Sequence, residues 1–416
     1  MGRFFFYALL LAVPIIAPAC KKDAPSGAHQ STSPTTPDPG ATRDGGSPTS
    51  ATNTADNPPE PSGPPRIDFV GRFDTRDAAG PKCAWPGCRV VARFKGTSVS
   101  ARLSEITEDW MKGGPSEWDV SIDGKLLPKI VTRSNEGPID YPIASGLDDD
   151  VHVVELYKRS EAQNGTTQFL GYDFAGGELL APPTRKVRKI EIIGDSQPAA
   201  FGVEGVGQGP TCPGLEWAAR WENFRKSFGA KLGEALNAEV FGTVYSGKGM
   251  AKNIWHPDPF TMPMLYPRAL PTDPNSLWDY AAYVPDAIVI MMGGNDFAIG
   301  QPVDEGPATL AQFTDAYDGF VVTLREKYPA AHIFLATSPS VSDEMPPGRS
   351  SRTNVMAGID AVIQRRSAAG DRHVYSVTPP VAAESELTGC NGHGSPEFHQ
   401  RVANDLAPIV RAKTGW

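Results

Sequence analysis

The chain is 416 residues long, which is enough for one large folded domain or for two of ordinary size. Its 48 acidic residues outnumber its 39 Lys and Arg residues, so the formal net charge is −9 at pH 7. No Lys/Arg cluster is combined with aromatic residues as a nucleic-acid surface requires, and nucleic acid is therefore not expected as a partner.

The first twenty residues are organised like an export signal. Arg3 supplies a positive charge, and residues 4–16 form an apolar stretch that is too short to span a bilayer. Small residues then precede Cys20, in a pattern similar to a bacterial lipobox. We therefore expect residues 1–20 to be a lipoprotein signal peptide. Lipidated Cys20 would anchor the exported protein in a membrane, in the periplasm or at the cell surface, and simple secretion is the alternative.

Residues 21–65 are rich in Pro, Ser, Thr and Gly and contain almost no large apolar side chains. Such a segment cannot bury enough apolar surface to offset the entropy that it would lose on ordering. We expect it to be a disordered tether that holds the folded part away from the membrane.

Residues 66–183 consist of short segments typical of strands, with turn signals between them. Helical periodicity is not evident, and this favours an all-β sandwich or jelly roll. The predicted strands are 67–73, 88–94, 98–103, 118–122, 151–158 and 168–174. No residue of this domain has an obvious nucleophilic role.

From residue 184 to residue 416, strand-like and helix-like stretches alternate. This alternation predicts a three-layer α/β domain, with a parallel sheet between two layers of helices. The predicted strands are 189–193, 240–245, 286–292, 332–336 and 373–377, and the predicted helices are 216–236, 307–327, 353–368 and a last helix that begins at Pro396.

Three motifs of this second domain could carry chemistry. Gly194-Asp195-Ser196 ends the first strand, Gly294-Asn295-Asp296 follows a later one, and His393 lies in a loop just before the last helix. Open parallel sheets bind ligands at the carboxyl ends of their strands, where a serine can act as a nucleophile and a histidine as its base. His399, about one turn inside the last helix, is the competing histidine, and we expect it to be structural.

Four cysteines remain beyond Cys20. In an oxidising compartment they most simply form two disulfides. Cys83 and Cys88 bracket a turn sequence, which favours a local bridge, and a Cys212–Cys390 bridge would tie the serine loop to the histidine loop. Four buried free thiols are the alternative. The spacings do not form the paired Cys-x-x-Cys knuckles of a zinc site.

Together these motifs resemble the SGNH hydrolases, and more closely the family-2 carbohydrate esterases. The resemblance covers residues 66–416, and it also rests on the segments 70–73, 92–97, 158–162, 246–249, 278–280 and 284–286. It implies a β jelly roll followed by a flavodoxin-like SGNH domain. The implied reaction is hydrolysis of an acetyl ester on a sugar hydroxyl, with neither a metal nor an organic cofactor, and we expect a monomer.

The resemblance also assigns roles to single residues. Ser196 would be the nucleophile and His393 the base that takes its proton. The backbone amides of Ser196 and Gly247 and the side-chain amide of Asn295 would form the oxyanion hole, which stabilises the negative charge of the tetrahedral intermediate.

This chain departs from many relatives at the third member of the triad. They carry an aspartate two or three residues before the histidine, whereas here Cys390 and Asn391 hold those positions. We therefore expect a Ser–His dyad in which a backbone carbonyl orients the imidazole.

The expected substrate is an acetylated polysaccharide or oligosaccharide, such as xylan or mannan. Trp255 and Tyr266 lie in a Pro-rich stretch and are candidates for stacking on a sugar, with simple packing inside that stretch as the alternative. Two other functions stay open. One is a non-catalytic carbohydrate-binding surface lipoprotein with a degenerate esterase domain, and the other is a lipase or thioesterase on the same fold.

Overall fold

The computed structural model describes residues 61–107, 114–214 and 218–416. The predicted signal peptide with Cys20 and nearly all of the predicted tether lie outside these residues. In the described ranges, no helix has both the length and the apolar character needed to cross a membrane.

The first domain is built on antiparallel pairing. Its strands, within the described residues, are β1 (Asp68–Val70), β2 (Lys82–Cys83), β3 (Arg89–Ile106), β4 (Glu117–Ile122), β5 (Lys125–Val131), β6 (Ile139–Lys158), β7 (Thr166–Asp173) and β8 (Glu178–Leu179). They run in the order β2-β7-β3-β6-β4-β5, and β1 and β8 also pair with β3. The predicted all-β domain is confirmed.

The predicted strands 88–94 and 98–103 are two halves of the single strand β3. Its register against β6 shifts between Gly96 and Ser98 and again between Val99 and Ser100. Gly96 has a φ of 148°, a conformation that glycine adopts without steric cost. The strand is irregular here but does not end, and this explains why the sequence pattern resembles two strands.

The second domain contains a five-stranded parallel sheet in the order β10-β9-β11-β12-β13. The strands are β9 (Arg188–Gly194), β10 (Ala238–Val244), β11 (Ala287–Met291), β12 (His332–Ala336) and β13 (Val374–Val377). The helices are α1 (Ser196–Ala199), α2 (Phe228–Leu236), α3 (Met262–Leu265), α4 (Leu310–Lys327), α5 (Ser351–Ala368) and α6 (Pro396–Thr414). Counted within the domain, the order is 2-1-3-4-5, the flavodoxin-like arrangement.

Helices cover both faces of this sheet, as predicted. On one face Leu232 of α2 and Val402 of α6 pack in the same cluster as Ile192 of β9. On the other face Phe313 of α4 belongs to the cluster that contains Ile193. Successive residues of β9 thus point to opposite layers, since the side chains of a strand alternate.

The predicted helix 216–236 is shorter in the structure. Its described part contains two single turns of 3₁₀ helix, Ala219–Trp221 and Phe224–Lys226, and then α2. The side chains of Asn223 and Ser227 each accept a hydrogen bond from a backbone amide a few residues further on. Each therefore caps a new helical segment. Glu222 between the turns is extended, so one continuous helix is excluded.

The predicted Cys83–Cys88 disulfide is wrong. Both residues carry free, buried thiols in the structure. The two thiols hydrogen bond to each other without an S–S bond, and the Cys88 thiol also lies 3.5 Å from the carbonyl oxygen of Arg72. Burial raises the pKa of the Cys83 thiol well above its usual value, which keeps the thiol protonated.

A buried ion pair joins the two domains. Arg72, which follows β1, places its Nη2 2.9 Å from Oε1 of Glu191 on β9, and both side chains are fully buried. Thr243 donates to the same oxygen at 2.6 Å, and the hydroxyl of Tyr266 donates to the other carboxylate oxygen at 2.9 Å. The paired charges and the hydrogen bonds together compensate the cost of removing both groups from water.

Candidate active site

Ser196 lies at the carboxyl end of β9, as the first residue of α1. The preceding residue, Asp195, caps this turn by accepting a hydrogen bond from Gln197 N at 3.2 Å. Burial raises the pKa of Asp195 to about 7. Because β9 lies between β10 and β11, Ser196 is at the point where the strand order reverses, and this is where such sheets bind ligands.

The structure brings His393 against Ser196. Its Nε2 lies 2.7 Å from Ser196 Oγ, and its Nδ1 lies 2.9 Å from the carbonyl oxygen of Cys390. A carbonyl oxygen only accepts, so the proton of the neutral ring belongs on Nδ1. The lone pair of Nε2 then faces the serine hydroxyl, which is the geometry that a general base requires.

The imidazole of His393 is neutral at ordinary pH. Burial lowers its pKa to about 4, and the hydrogen bond to the Cys390 carbonyl opposes this shift only in part. The ring also lies against Phe201, with a centroid distance of 4.7 Å. These apolar surroundings keep the histidine unprotonated, so that its Nε2 can accept a proton.

Several contacts tie the serine loop to the histidine loop, among them two hydrogen bonds and a disulfide. Gln197 Oε1 accepts from Gly394 N at 3.1 Å, and Gly202 O accepts from Cys390 N at 3.1 Å. The predicted disulfide between Cys212 and Cys390 is present. Gly202 has a φ of 70°, and a Cβ there would lie 2.6 Å from Cys390 N. This approach is possible only for glycine.

Asn295 links the loops that follow β9 and β10. Its Nδ2 lies 2.8 Å from Lys248 O and 3.4 Å from Asp195 Oδ2. Lys248 is the neighbour of Gly247, and Asp195 is the neighbour of Ser196. Within the described ranges, the backbone amides of Ser196 and Gly247 donate to no other group. They therefore remain available to a negatively charged oxygen.

Asp296 belongs to the Gly294-Asn295-Asp296 motif, but the sequence alone gives it no role of its own. Its fully buried carboxylate accepts hydrogen bonds from three consecutive backbone amides at 2.6–2.9 Å, those of Met250, Ala251 and Lys252. Burial raises its pKa to about 6. It thereby holds the loop that follows Gly247. The only sequence signal for this role is its position directly after Asn295.

His399 is structural, as expected. Its ring is fully buried in α6, and Nδ1 accepts a hydrogen bond from Phe228 N at 3.2 Å, at the beginning of α2. Burial lowers the pKa of His399 to about 3, so the ring stays neutral and can accept this bond.

A cleft of about 630 Å³ opens beside the Gly247 loop. Its walls include Lys248, Phe260, Arg268 and Trp255, the last of which is 50% exposed. Trp255 is thus free to meet a ligand. Tyr266 is not, because it is completely buried against Arg72 and Glu191, and the predicted sugar-binding role of Tyr266 is wrong.

No cluster of three or more His, Cys, Asp or Glu residues that could hold a metal occurs in the part of the chain that the structure describes.

Comparisons with known proteins agree with this architecture. Residues 69–183 match the model of the carbohydrate esterase 2 N-terminal domain, and residues 192–403 match that of the GDSL-like lipase/acylhydrolase family. The cellulase/esterase CelE of Acetivibrio thermocellus is 34% identical over 353 residues, which is 85% of this chain and 40% of that protein. The chain thus spans less than half the length of that relative.

An acetylxylan esterase / glucomannan deacetylase of Cellvibrio japonicus is 25% identical over 357 residues, covering 85% of this chain and 90% of that protein. Among solved structures, a family two carbohydrate esterase from Clostridium thermocellum in complex with cellohexaose has a TM-score of 0.74 and 32% identity. The match covers 84% of this chain and 100% of that one. The chain therefore belongs to the family-2 carbohydrate esterases, and its second domain is a GDSL-like acylhydrolase domain.

Proposed function

We propose that this protein is a serine esterase that removes acetyl groups from the hydroxyls of a polysaccharide. The observation that carries the proposal is the 2.7 Å contact between His393 Nε2 and Ser196 Oγ, with the proton of the ring held on Nδ1. The substrate class is supported by relatives that are named acetylxylan esterase / glucomannan deacetylase and by the cellohexaose complex of a similar structure.

The reaction follows from the positions of these groups. Ser196 Oγ attacks the acetyl carbonyl carbon while His393 takes the hydroxyl proton. The backbone amides of Ser196 and Gly247 then stabilise the oxyanion, together with the side-chain amide of Asn295 once it releases its long 3.4 Å bond to Asp195. The sugar alkoxide leaves with the proton from His393, and an acetyl ester remains on Ser196. Water, deprotonated by His393, attacks this ester; acetate is released and Ser196 Oγ takes the proton back from His393.

Acetate release from acetylated xylan and acetylated glucomannan tests the proposal. We expect release by the parent protein and a loss of at least about 10³-fold in kcat for Ser196→Ala, since the nucleophile acts as a unit with its base. Equal release by the two proteins would contradict the proposal. Activity confined to long-chain acyl esters would point to a lipase or thioesterase instead.

We infer that His393 works in a dyad, without a carboxylate partner. The contact of Nδ1 with the Cys390 carbonyl supports this inference, as does the exposed position of Asn391 with a φ of 55°. Replacing the orienting carboxylate of a triad costs about 10⁴-fold in kcat. We expect Asn391→Ala to keep kcat within about threefold of the parent, measured with 4-nitrophenyl acetate. A loss of more than about a thousandfold would show that Asn391 orients the ring.

The exposed indole of Trp255 is proposed to stack on a sugar ring in the cleft. Trp255→Ala should raise KM severalfold for acetylated polysaccharide and leave KM for 4-nitrophenyl acetate unchanged, because the small ester has no sugar to stack. An equal rise for both substrates would contradict a sugar-specific contact.

We also propose that the protein is exported, lipidated at Cys20 and monomeric, with residues 21–65 as its tether. The apolar stretch 4–16 behind Arg3 supports export. Labelled palmitate should be incorporated by the parent and not by Cys20→Ala in a bacterial host. Incorporation by both would exclude Cys20 as the site. Sedimentation of the soluble Cys20→Ala protein tests the monomer.

A further inference from the structure

A buried carboxylate of the β domain contacts a loop of the second domain. Glu161 lies between β6 and β7, and its side chain is fully buried. Its Oε2 accepts a hydrogen bond from Ser246 N at 2.6 Å, and its Oε1 accepts one from Ser246 Oγ at 2.5 Å. Ser246 directly precedes Gly247, whose amide is a proposed oxyanion donor. One carboxylate thus holds both the backbone and the side chain of the residue before that donor.

Glu161 is itself held in place. Its backbone amide donates to Glu222 Oε2 at 2.9 Å, and Asn164 Nδ2 donates to the same oxygen at 2.6 Å. The buried ammonium of Lys158 donates to the carbonyl oxygens of Ser160 and Glu161 at 3.0 and 3.3 Å. Because these hydrogen bonds fix Glu161, its side chain can hold the loop that it contacts in a defined position.

Hydrogen bonds also hold the backbone on both sides of the Gly247 amide. Ile254 N donates to Gly247 O at 3.0 Å, and Tyr245 N donates to Gly194 O at 3.0 Å. Between these two points, the bonds from Ser246 to Glu161 restrain the loop from the side of the β domain. An oxyanion hole acts through donors that need no rearrangement as charge develops, so this restraint bears on the rate.

We propose that Glu161 is a positioning residue for the oxyanion hole, holding Ser246 so that the amide of Gly247 points at the reacting carbonyl. Esterase activity of the second domain then depends on the β domain. The proposal rests on the proposed function, because it concerns the same site.

Glu222 supplies a matched control. The two groups that donate hydrogen bonds to Glu222 both bind its Oε2. Its Oε1 has no hydrogen-bond partner in the described part of the chain. Glu222→Gln can therefore keep both bonds. In Glu161 both oxygens accept hydrogen bonds from Ser246, so Glu161→Gln keeps one acceptor oxygen and presents an N–H group in place of the other. The same substitution thus changes a group that contacts Ser246 in one case and leaves that group unchanged in the other.

The experiment measures kcat and KM with 4-nitrophenyl acetate, together with thermal unfolding, for the full chain and its variants. Glu161→Ala should lower kcat at least about tenfold with KM within about threefold, because a displaced donor weakens the transition state and not the ground state. Glu161→Gln should recover part of this loss. Glu222→Gln should stay within about threefold of the parent in kcat.

Two results would overturn the proposal: kcat of a folded Glu161→Ala within about threefold of the parent, or a loss in Glu222→Gln as large as in Glu161→Ala. If Glu161→Ala does not fold, Ser246→Ala takes its place and must lower kcat more than Glu222→Gln does. Ser196→Ala distinguishes a failure of the proposed function from a failure of the role proposed for Glu161. A parent no more active than Ser196→Ala removes the proposed function, whereas active Glu161 variants beside an inactive Ser196→Ala remove only the role of Glu161.

Discussion

At the scale of residues, the proposed catalysis depends on the protonation of His393. Its Nε2 must be free to take the proton of Ser196, and the contact of Nδ1 with Cys390 O places the single ring proton on the opposite side. Burial favours this neutral form by lowering the pKa to about 4. The base is thus competent over the whole neutral range and is lost only in acid.

The pH dependence of kcat/KM for 4-nitrophenyl acetate tests this. The pKa of His393 in the folded protein is about 4, below the ordinary histidine value of about 6.5. Activity should therefore be full at pH values above about 6.5 and should fall as the pH drops through about 4. A fall centred near pH 6.5 would contradict a neutral, desolvated base. Circular dichroism at each pH separates titration from unfolding.

The contact between Ser196 and His393 could be predicted from the sequence because both residues lie in short motifs next to strand and helix ends. Tyr266 could not be placed in this way. Its burial depends on Glu191 and Arg72, which are 75 and 194 positions away along the chain. Likewise, the turn between Cys83 and Cys88 indicates that the two thiols lie close together, but not that both stay free.

At the scale of elements, three loops at the carboxyl ends of adjacent strands build the site, and the histidine loop is tied to the first of them. Cys390 serves twice, since its sulfur bonds to Cys212 and its carbonyl oxygen accepts from His393. The alternation of strands and helices predicted the parallel sheet, and the family resemblance implied its flavodoxin-like arrangement. The sequence pattern did not reveal where the predicted helix 216–236 is interrupted, because Arg159 of the β domain donates to Glu222 O and accepts from Phe224 N there.

The double role of Cys390 makes the activity sensitive to the disulfide. Cys212→Ser should lower both kcat and the unfolding temperature, with a stability loss of about 2–5 kcal/mol, because the bond closes a loop of 178 positions and holds the carbonyl that orients His393. Cys88→Ser, at a free thiol remote from the histidine loop, is the control for kcat. Unchanged kcat in Cys212→Ser would show that the hydrogen bonds alone position the ring.

At the scale of the whole molecule, the β domain is part of the enzyme's framework. It supplies Arg72 to the buried carboxylate of Glu191 on β9 and Glu161 to the loop after β10. Both residues lie in segments on which the family resemblance rests, 70–73 and 158–162. The sequence thus indicated which segments matter, and the structure shows what they contact.

Removing one member of the buried pair should be costly. Arg72→Ala leaves the charge of Glu191 buried without its partner, and we expect a loss of about 3–5 kcal/mol in the free energy of unfolding. Arg102 is the matched control, because its pair with Asp140 is largely exposed and should contribute no more than about 1 kcal/mol. Urea unfolding of both variants gives the comparison. Equal losses would contradict a special role for Arg72 in joining the domains.

The central claim is that Ser196 carries the acetyl group during turnover. Its most direct test is mass spectrometry of the peptide that contains Ser196, after acid quenching of the protein during reaction with 4-nitrophenyl acetate. We expect an acetyl adduct on Ser196 in the parent and none on this peptide in Ser196→Ala, which should also be inactive. An active Ser196→Ala protein, or turnover with no adduct on this peptide under any quench time, would contradict the claim.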